Sequence, residues 1–178
     1  MFSMLNELFL IRHAAPDRTT GLPYTVMPGP PLTLRGEEEA VQAGHWLRDR
    51  GIERLLSSPF TRTVATATVI GQLIGLTPTV IEALREVAPG EQHSEVRARI
   101  ADLLNQLDDT PLQRVALVTH GGCILAALHY TTGDRIDLSG HRYDNGNHAP
   151  TAGIWHGVRT DQGWRWSLAF RPDMAVES

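Results

Sequence analysis

The sequence predicts an α/β fold: a single three-layer domain over residues 1–178, with a mostly parallel central sheet, helices on both faces and an antiparallel edge. Two observations support this prediction. Short apolar runs typical of buried strands alternate along the chain with segments whose apolar residues follow a helical spacing. Near the C-terminus, two runs separated by a short turn, Gly153–Val158 and Trp164–Phe170, have the pattern of an antiparallel hairpin.

The predicted strands of the parallel part are short apolar runs, as expected where a sheet is covered on both faces. The first, Leu8–Ile11, leads directly into Arg12 and His13. The other three are predicted, in chain order, at Ile52–Ser58, Thr77–Glu86 and Arg114–His120. Ligands of open α/β sheets bind outside the carboxyl ends of the strands, so polar residues at these ends are candidates for a site.

Helices are predicted between the strands. Thr33 is a suitable N-cap for the first, Glu37–Glu39 suit its positive first turn, and Gly51 is its stop signal. The second helix carries Arg62 in its first turn. Helix N-termini favour anions, so an arginine at this position is a candidate functional residue. The later helices are predicted around Val96–Leu107 and over Cys123–Tyr130.

Two long polar segments, 14–31 and 131–152, are rich in residues that favour turns, and we interpret both as loops that border the site. The single Cys123 excludes an intramolecular disulfide framework and a multi-cysteine zinc site. A net charge of −4 argues against a broad nucleic-acid surface. The sequence shows neither a signal peptide nor an apolar run of membrane-spanning length, so we expect a soluble, cytoplasmic protein with no membrane partner.

Five motifs in order resemble the histidine phosphatase superfamily, also called the phosphoglycerate mutase-like superfamily. They are Leu10-Ile11-Arg12-His13, Pro31-Leu32-Thr33 before a helix, Ser57-Ser58-Pro59-Phe60-Thr61-Arg62, Leu84-Arg85-Glu86 with Gly90 after it, and Val118-Thr119-His120-Gly121-Gly122. The resemblance covers residues 8 to 122 and implies a phosphoglycerate mutase-like fold of the small phosphatase branch.

The resemblance implies that His13 is phosphorylated, that Arg12, His13, Arg62 and His120 form the phosphate pocket, and that Glu86 donates the proton. Elementary chemistry agrees, since phosphoryl transfer needs a nucleophile, cations on the phosphoryl oxygens and an acid for the leaving group. The nearby arginines would lower the pKa of His13 and keep its imidazole neutral. No metal and no cofactor are implied.

The chain departs from the family pattern beside the nucleophile. The usual glycine after the histidine is Ala14, which keeps the N–H but restricts the backbone. Positions that often hold Thr and Asn are Pro16 and Thr19, and a frequent Trp-Glu-Gly stretch is replaced by Gln92–Ser94. These departures concern the substrate mouth, where the candidate contacts are Arg18, Thr19, Arg85 and His148. Arg18 could meet a second anionic group of the substrate.

The predicted function is a metal-independent phosphomonoester phosphatase that acts through a phosphohistidine on His13, with Glu86 as general acid and base. The expected substrate is a small phosphorylated metabolite, or a phosphoprotein, and the pocket would hold phosphate or another oxyanion. Two alternatives stay open. A phosphoglycerate mutase shares the core residues, although such mutases are typically longer, and a non-catalytic phospho-ligand-binding module could use the same fold.

Overall fold

The order of the strands explains why the polar residues collect at one edge of the sheet. In this computed structural model, which describes residues 5–172, the strands are β1 (Glu7–Arg12), β2 (Arg54–Ser57), β3 (Thr79–Val80), β4 (Arg114–Thr119), β5 (Ile154–Thr160) and β6 (Gly163–Phe170). The described residues form one sheet of order β3-β2-β4-β1-β5-β6. β1 to β4 pair in parallel, and β5 and β6 form the antiparallel edge, which confirms the predicted fold class.

The helices follow the predicted pattern closely. They are α1 (Leu34–Leu47), α2 (Thr61–Ile74), α3 (His93–Asp108) and α4 (Gly121–Thr132). Thr33 caps α1 as expected, since its hydroxyl accepts a hydrogen bond from the Gly36 N–H at 3.0 Å. None of the helices in the described part of the chain has the length and apolar character of a membrane span.

Alternating residues along the strands build two cores, one on each face of the sheet. Phe9 and Ile11 of β1 belong to the core that also contains apolar residues of α1 and α2. Leu8 and Leu10 point to the other face, into the core that α3 and α4 complete. The fold therefore has three layers, and its central strands are covered by helices on both sides.

The third strand is much shorter than predicted. The expected strand Thr77–Glu86 is present only at Thr79–Val80, an exposed edge pair, and a 3₁₀ turn follows at Glu82–Leu84. The last hydrogen bond to β2 is donated by the Ile81 N–H to the Ser57 carbonyl. After Ile81 the chain leaves the sheet edge, and the turn buries the Leu84 side chain. Glu86 is consequently held by a turn packed against the sheet, and not by a strand.

Candidate active site

The parallel register of β1 and β4 brings the two predicted histidines together. Arg12 pairs with Thr119, so the residues that follow these two, His13 and His120, lie side by side at the ends of neighbouring strands. The His13 N–H donates to the Thr119 carbonyl at 3.0 Å, and the two imidazole ring centroids are 5.4 Å apart. Both histidines are buried, which confines them to one geometry.

The surroundings of His13 show which of its two ring nitrogens keeps a lone pair. Nδ1 lies 2.9 Å from the Ala14 carbonyl, so Nδ1 carries the proton and Nε2 keeps its lone pair. The Tyr24 hydroxyl is 3.0 Å from Nε2 and donates to it. Burial, the neighbouring His120 imidazole and the positive charges of Arg12 and Arg62 lower the pKa of His13 well below 6.5. The imidazole is therefore neutral at neutral pH.

Arg62 lies in the first turn of α2, fully buried behind Tyr24 and Glu86. Its Nη2 donates to Glu86 Oε2 at 3.0 Å, and its guanidinium is 3.9 Å from the centroid of the Tyr24 ring. Its Nη1 lies against Gly29, where a Cβ atom would come within 2.6 Å of that nitrogen. Because Gly29 also has a φ of +72°, glycine is required there on two grounds.

Arg12 is held by the second long loop. Its Nη1 and Nη2 donate to the two carboxylate oxygens of Asp144 at 2.6 and 2.8 Å, and Nη1 also donates to the Ala149 carbonyl. This forked pairing joins residues that are 132 positions apart. It fixes the Arg12 guanidinium at the bottom of the candidate site. The five residues that lie together there, Arg12, His13, Arg62, Glu86 and His120, are called the floor below.

The two arginines keep buried N–H groups without a partner. Among the described residues, four buried side-chain polar atoms lack a hydrogen bond, and three of them are Arg12 Nε, Arg62 Nε and Arg62 Nη1. An unpaired buried polar atom costs free energy and calls for an explanation, often a ligand. Charged donors grouped beside a neutral imidazole are what a phosphoryl group requires.

Glu86 and His120 share a hydrogen-bonded network with Arg62. His120 Nδ1 lies 3.2 Å from Glu86 Oε2, and the Val87 N–H donates to Glu86 Oε1 at 2.9 Å. Burial alone would raise the pKa of Glu86, but the hydrogen bonds from His120 and Val87 and the charge of Arg62 outweigh it and lower that pKa below 4.5. Burial lowers the pKa of His120, so this residue serves as a neutral hydrogen-bonding group.

The turn that carries Glu86 is braced by Glu91. The Glu91 carboxylate accepts from Arg99 Nε at 2.8 Å, from the Ala88 N–H at 2.9 Å and from Arg85 Nη2 at 3.2 Å. The Arg99 hydrogen bonds lower the pKa of Glu91 to about 2, so this carboxylate stays ionised. The brace closes the segment 85–91 on itself and fixes the direction in which Glu86 points.

A cavity of about 410 Å³ opens above these groups. It is lined by Arg12, His13, Tyr24, Thr25, Glu86, Val87, Ala88, Pro89, Gly121, Gly122 and Asn147. The structure thus brings together all five residues predicted for the floor, because Arg62 and His120 bond directly to Glu86.

None of the four residues predicted for the substrate mouth is among the residues that line this cavity. Arg18 is exposed, with its guanidinium 4.7 Å from the centroid of the Tyr24 ring. Thr19 donates to Asp17, Arg85 pairs with Glu91, and His148 Nδ1 lies 2.8 Å from the His141 carbonyl. A role for these four residues in substrate contact remains a prediction.

Sequence reasoning missed two side chains that touch the floor, Tyr24 and Asp144. Both lie in the loops that were predicted to border the site, and the residue types alone did not single them out. It also missed Ser58, whose hydroxyl is 2.7 Å from His120 Nε2. Within residues 5–172, no group of three or more His, Cys, Asp or Glu side chains is arranged to hold a metal ion.

Comparison with known proteins decides the family. The model of the histidine phosphatase superfamily (branch 1) matches residues 8–92 and 87–168, which together cover most of the chain. The chain belongs to the histidine phosphatase superfamily. The resemblance inferred from five motifs is confirmed.

Curated relatives of this histidine phosphatase include a Salmonella arizonae protein named "Probable phosphoglycerate mutase GpmB". It is 33% identical over 84 residues, which are 47% of this chain and 39% of that protein. The match thus spans about two fifths of the length of the relative.

Solved structures share the fold over nearly the whole chain. A mycobacterial glucosyl-3-phosphoglycerate phosphatase has a TM-score of 0.68 at 22% identity and covers 93% of this chain and 98% of its own. The phosphoserine phosphatase of Entamoeba histolytica, solved with 3-phosphoglyceric acid, has a TM-score of 0.72 at 17% identity and covers 93% and 96%. At these identities the likeness shows the fold.

Proposed function

We propose that this chain is a metal-independent phosphomonoester phosphatase that works through a phosphohistidine on His13, with Glu86 as general acid and base. The observation that carries the proposal is the set of buried, unpartnered N–H groups on Arg12 and Arg62 beside the neutral Nε2 of His13. Small phosphorylated metabolites are the proposed substrates. The mycobacterial phosphatase of the same fold has been solved with phosphate and with vanadate, which supports an oxyanion in this pocket.

In the first step, His13 Nε2 attacks the phosphorus atom and the bond to the leaving oxygen breaks. Arg12 and Arg62 hold the phosphoryl oxygens. His120, whose single N–H faces Glu86 in the free site, donates to the same group once Glu86 is protonated. Glu86 gives its proton to the leaving oxygen, so an alcohol departs and a phosphohistidine remains. The Tyr24 hydroxyl occupies the direction of attack on Nε2, and it has to move aside when the phosphate enters.

In the second step, a water molecule attacks the phosphohistidine. Glu86, now a carboxylate, accepts a proton from this water, and the bond between Nε2 and phosphorus breaks. Inorganic phosphate leaves, while His13 returns to its neutral form and Glu86 to its protonated form. The carboxylate is ionised in the free site, so this proton leaves with the phosphate, and each turnover needs a proton delivered with the phosphate monoester.

A phosphoglycerate mutase is the second candidate, because curated relatives carry that name. Its reaction would use the same His13 and Glu86 but would pass the phosphoryl group to a second hydroxyl of a sugar acid. Incubation with 3-phosphoglycerate distinguishes the two activities. Inorganic phosphate as the product supports the phosphatase, and 2-phosphoglycerate without phosphate release would establish the mutase.

The proposal is tested by hydrolysis of an aryl phosphate in the presence of a chelator. The wild type should release phosphate, and His13→Ala should lose about 10³-fold or more of kcat because the nucleophile is gone. His45→Ala, on the exposed face of α1, is the matched control and should keep wild-type activity. Equal activity of the wild type and His13→Ala would refute the proposal. Phosphate binding without any turnover would indicate a non-catalytic binding module.

A further inference from the structure

Neutral His120 carries a single N–H, and the ring nitrogen that holds it decides what His120 can do for a phosphoryl group. A neutral imidazole has one donor nitrogen and one acceptor nitrogen. Nδ1 lies 3.2 Å from Glu86 Oε2 and 3.3 Å from Arg62 Nη2. Nε2, on the other side of the ring, is 2.7 Å from the Ser58 hydroxyl. Only the tautomer with its proton on Nδ1 turns a donor toward Glu86 and the phosphate pocket.

The Ser58 hydroxyl selects between the two tautomers through its own proton. Among the described residues, its oxygen has two hydrogen-bonding contacts, the Phe60 N–H at 3.3 Å and His120 Nε2 at 2.7 Å. The Phe60 N–H can only donate, so Nε2 is the acceptor that the Ser58 O–H meets. Nε2 accepts this proton only when the proton of the imidazole is on Nδ1. The contacts of Ser58 therefore favour the Nδ1–H tautomer.

The opposite tautomer is poorly matched to the same neighbours. With the proton of His120 on Nε2, the Ser58 hydroxyl would accept it, and the Ser58 proton would face no acceptor among the described residues. Nδ1 would turn a lone pair toward the ionised Glu86 carboxylate. Ser58 and His120 are both 0% exposed, so bulk water cannot relieve either mismatch.

Regular structure places the Ser58 hydroxyl beside the imidazole. Ser58 directly follows β2, and its N–H donates to the carbonyl of Val118 in β4 at 3.0 Å. Its carbonyl accepts a hydrogen bond from the Thr63 hydroxyl at 3.0 Å. Val118 is two residues before His120 on the same chain segment. The distance between the hydroxyl and the imidazole is therefore set by two paired strands and not by a loop.

Building on the proposed phosphatase function, we propose that Ser58 is a positioning residue that keeps the proton of His120 on Nδ1, where it is donated to the transferring phosphoryl group. Ser58 is not among the residues that line the cavity, so it acts through His120. Without the hydroxyl, the ring still meets Arg62 Nη2, a donor that favours a lone pair on Nδ1. His120 would then turn a lone pair toward the anionic phosphoryl group, and stabilisation of the transition state would be lost.

Nitrogen NMR of the enzyme with labelled histidine reads the tautomer directly. The resonances of His120 are identified by their absence in His120→Asn. We expect the wild type to carry the His120 proton on Nδ1 and Ser58→Ala to carry it on Nε2. A wild-type His120 protonated on Nε2 would overturn the proposal without any variant of Ser58, and so would an Nδ1–H tautomer that persists in Ser58→Ala.

Kinetics with an aryl phosphate test the consequence for catalysis. Ser58→Ala should lower kcat by about ten- to hundredfold and change KM by less than about threefold, because the lost donor acts mainly in the transition state. Ser57→Ala is the matched control. Its hydroxyl is also buried and donates to the Ser58 carbonyl at 2.9 Å, without contact to His120, so kcat should stay at the wild-type value. An unchanged kcat in Ser58→Ala, or an equal loss in both variants, would overturn the proposal.

A double-mutant cycle separates the tautomer from a structural role of Ser58. In His120→Asn, the side-chain amide N–H₂ can take the place of Nδ1–H, and an amide has no second tautomer. In this background, Ser58→Ala should change kcat by less than about twofold, because no imidazole proton remains to be positioned. The full loss of Ser58→Ala in the same background would show that Ser58 acts through the turn it shares with Phe60, and the proposal would be wrong.

These results also separate the proposal from the function on which it rests. If the wild type hydrolyses neither an aryl phosphate nor an alkyl phosphate, the phosphatase function itself is wrong, and the NMR measurement still reports the tautomer. If the wild type hydrolyses them and Ser58→Ala does so equally well, the phosphatase function stands and the positioning role of Ser58 is wrong.

Discussion

The floor and the mouth of the site are built in different ways. The floor residues Arg12, His13 and His120 lie at the ends of adjacent strands, and Arg62 lies in the first turn of a helix; all four are buried. The mouth is formed by loops, with Tyr24 and Asp144 reaching inward from partly exposed positions. We therefore propose that the strand ends and the helix start determine which reaction is catalysed, and that the loops determine which ester reaches the floor.

The largest effect should come from the acid at the floor. We expect Glu86→Gln to lower kcat by about 10²–10⁴-fold for an alkyl phosphate, because the alkoxide then leaves without a proton. An aryl phosphate, whose leaving group needs little protonation, should lose far less. Steady-state kinetics with both esters checks this difference.

Glu82→Gln is the matched control for Glu86, since Glu82 is exposed in the turn that precedes it. This variant should behave as the wild type. An equal loss for alkyl and aryl esters in Glu86→Gln would show that Glu86 organises Arg62 and His120 without acting as the acid.

The pH dependence should be the next largest effect. Glu86 is ionised above pH 4.5 in the free site because its pKa is lowered, and a phosphate monoester loses its second proton near about pH 6. The productive complex contains one proton, which is carried either by Glu86 or by the phosphate monoester. For an alkyl phosphate, kcat/KM should therefore fall about tenfold per unit above about pH 6.

The same argument gives the acid side of the profile. His13 has a pKa well below 6.5, so its protonation does not limit the rate between pH 6 and 8. A profile measured from acid to mildly alkaline pH should show its maximum on the acid side of neutrality. A rate that stays constant up to pH 8 would contradict the proposed protonation of Glu86.

The smallest effect should come from the mouth. In Tyr24→Phe the hydroxyl that bonds to His13 Nε2 is lost, while the ring over Arg62 is kept. A hydrogen bond of this kind contributes about 0.5–1.5 kcal/mol, so KM should fall about two- to tenfold with little change in kcat. Inhibition by inorganic phosphate should strengthen to the same extent.

Tyr143→Phe, in the other loop, has no contact with His13 and should leave KM unchanged. A fall in kcat of a hundredfold in Tyr24→Phe would instead place Tyr24 in the chemistry and remove the distinction between floor and mouth.

The floor could be predicted from the sequence because regular structure carries it. An apolar run predicts a strand, and the parallel pairing of two such strands places His120 beside His13. The predicted start of a helix gives the position of Arg62. Ala14 is accommodated for a local reason, since its N–H donates to the Thr66 hydroxyl at 3.0 Å and its methyl group is buried.

The mouth could not be predicted in the same detail. The pairing of Arg12 with Asp144 spans 132 residues, and no periodic pattern links a loop side chain to its partner. The same holds for Tyr24, whose position depends on how the Pro-rich segment folds back over the floor. The predicted strand Thr77–Glu86 was too long because its apolar residues also suit a 3₁₀ turn that buries Leu84.

The central claim is that His13 carries the phosphoryl group during turnover. The direct test is rapid quenching of the enzyme during hydrolysis of a phosphate ester with a labelled phosphoryl group, followed by mapping of the label. We predict an alkali-stable, acid-labile label of up to one per chain on His13, present in His45→Ala and absent in His13→Ala. Rapid turnover with no such label in the wild type, or a label that persists in His13→Ala, would contradict the account.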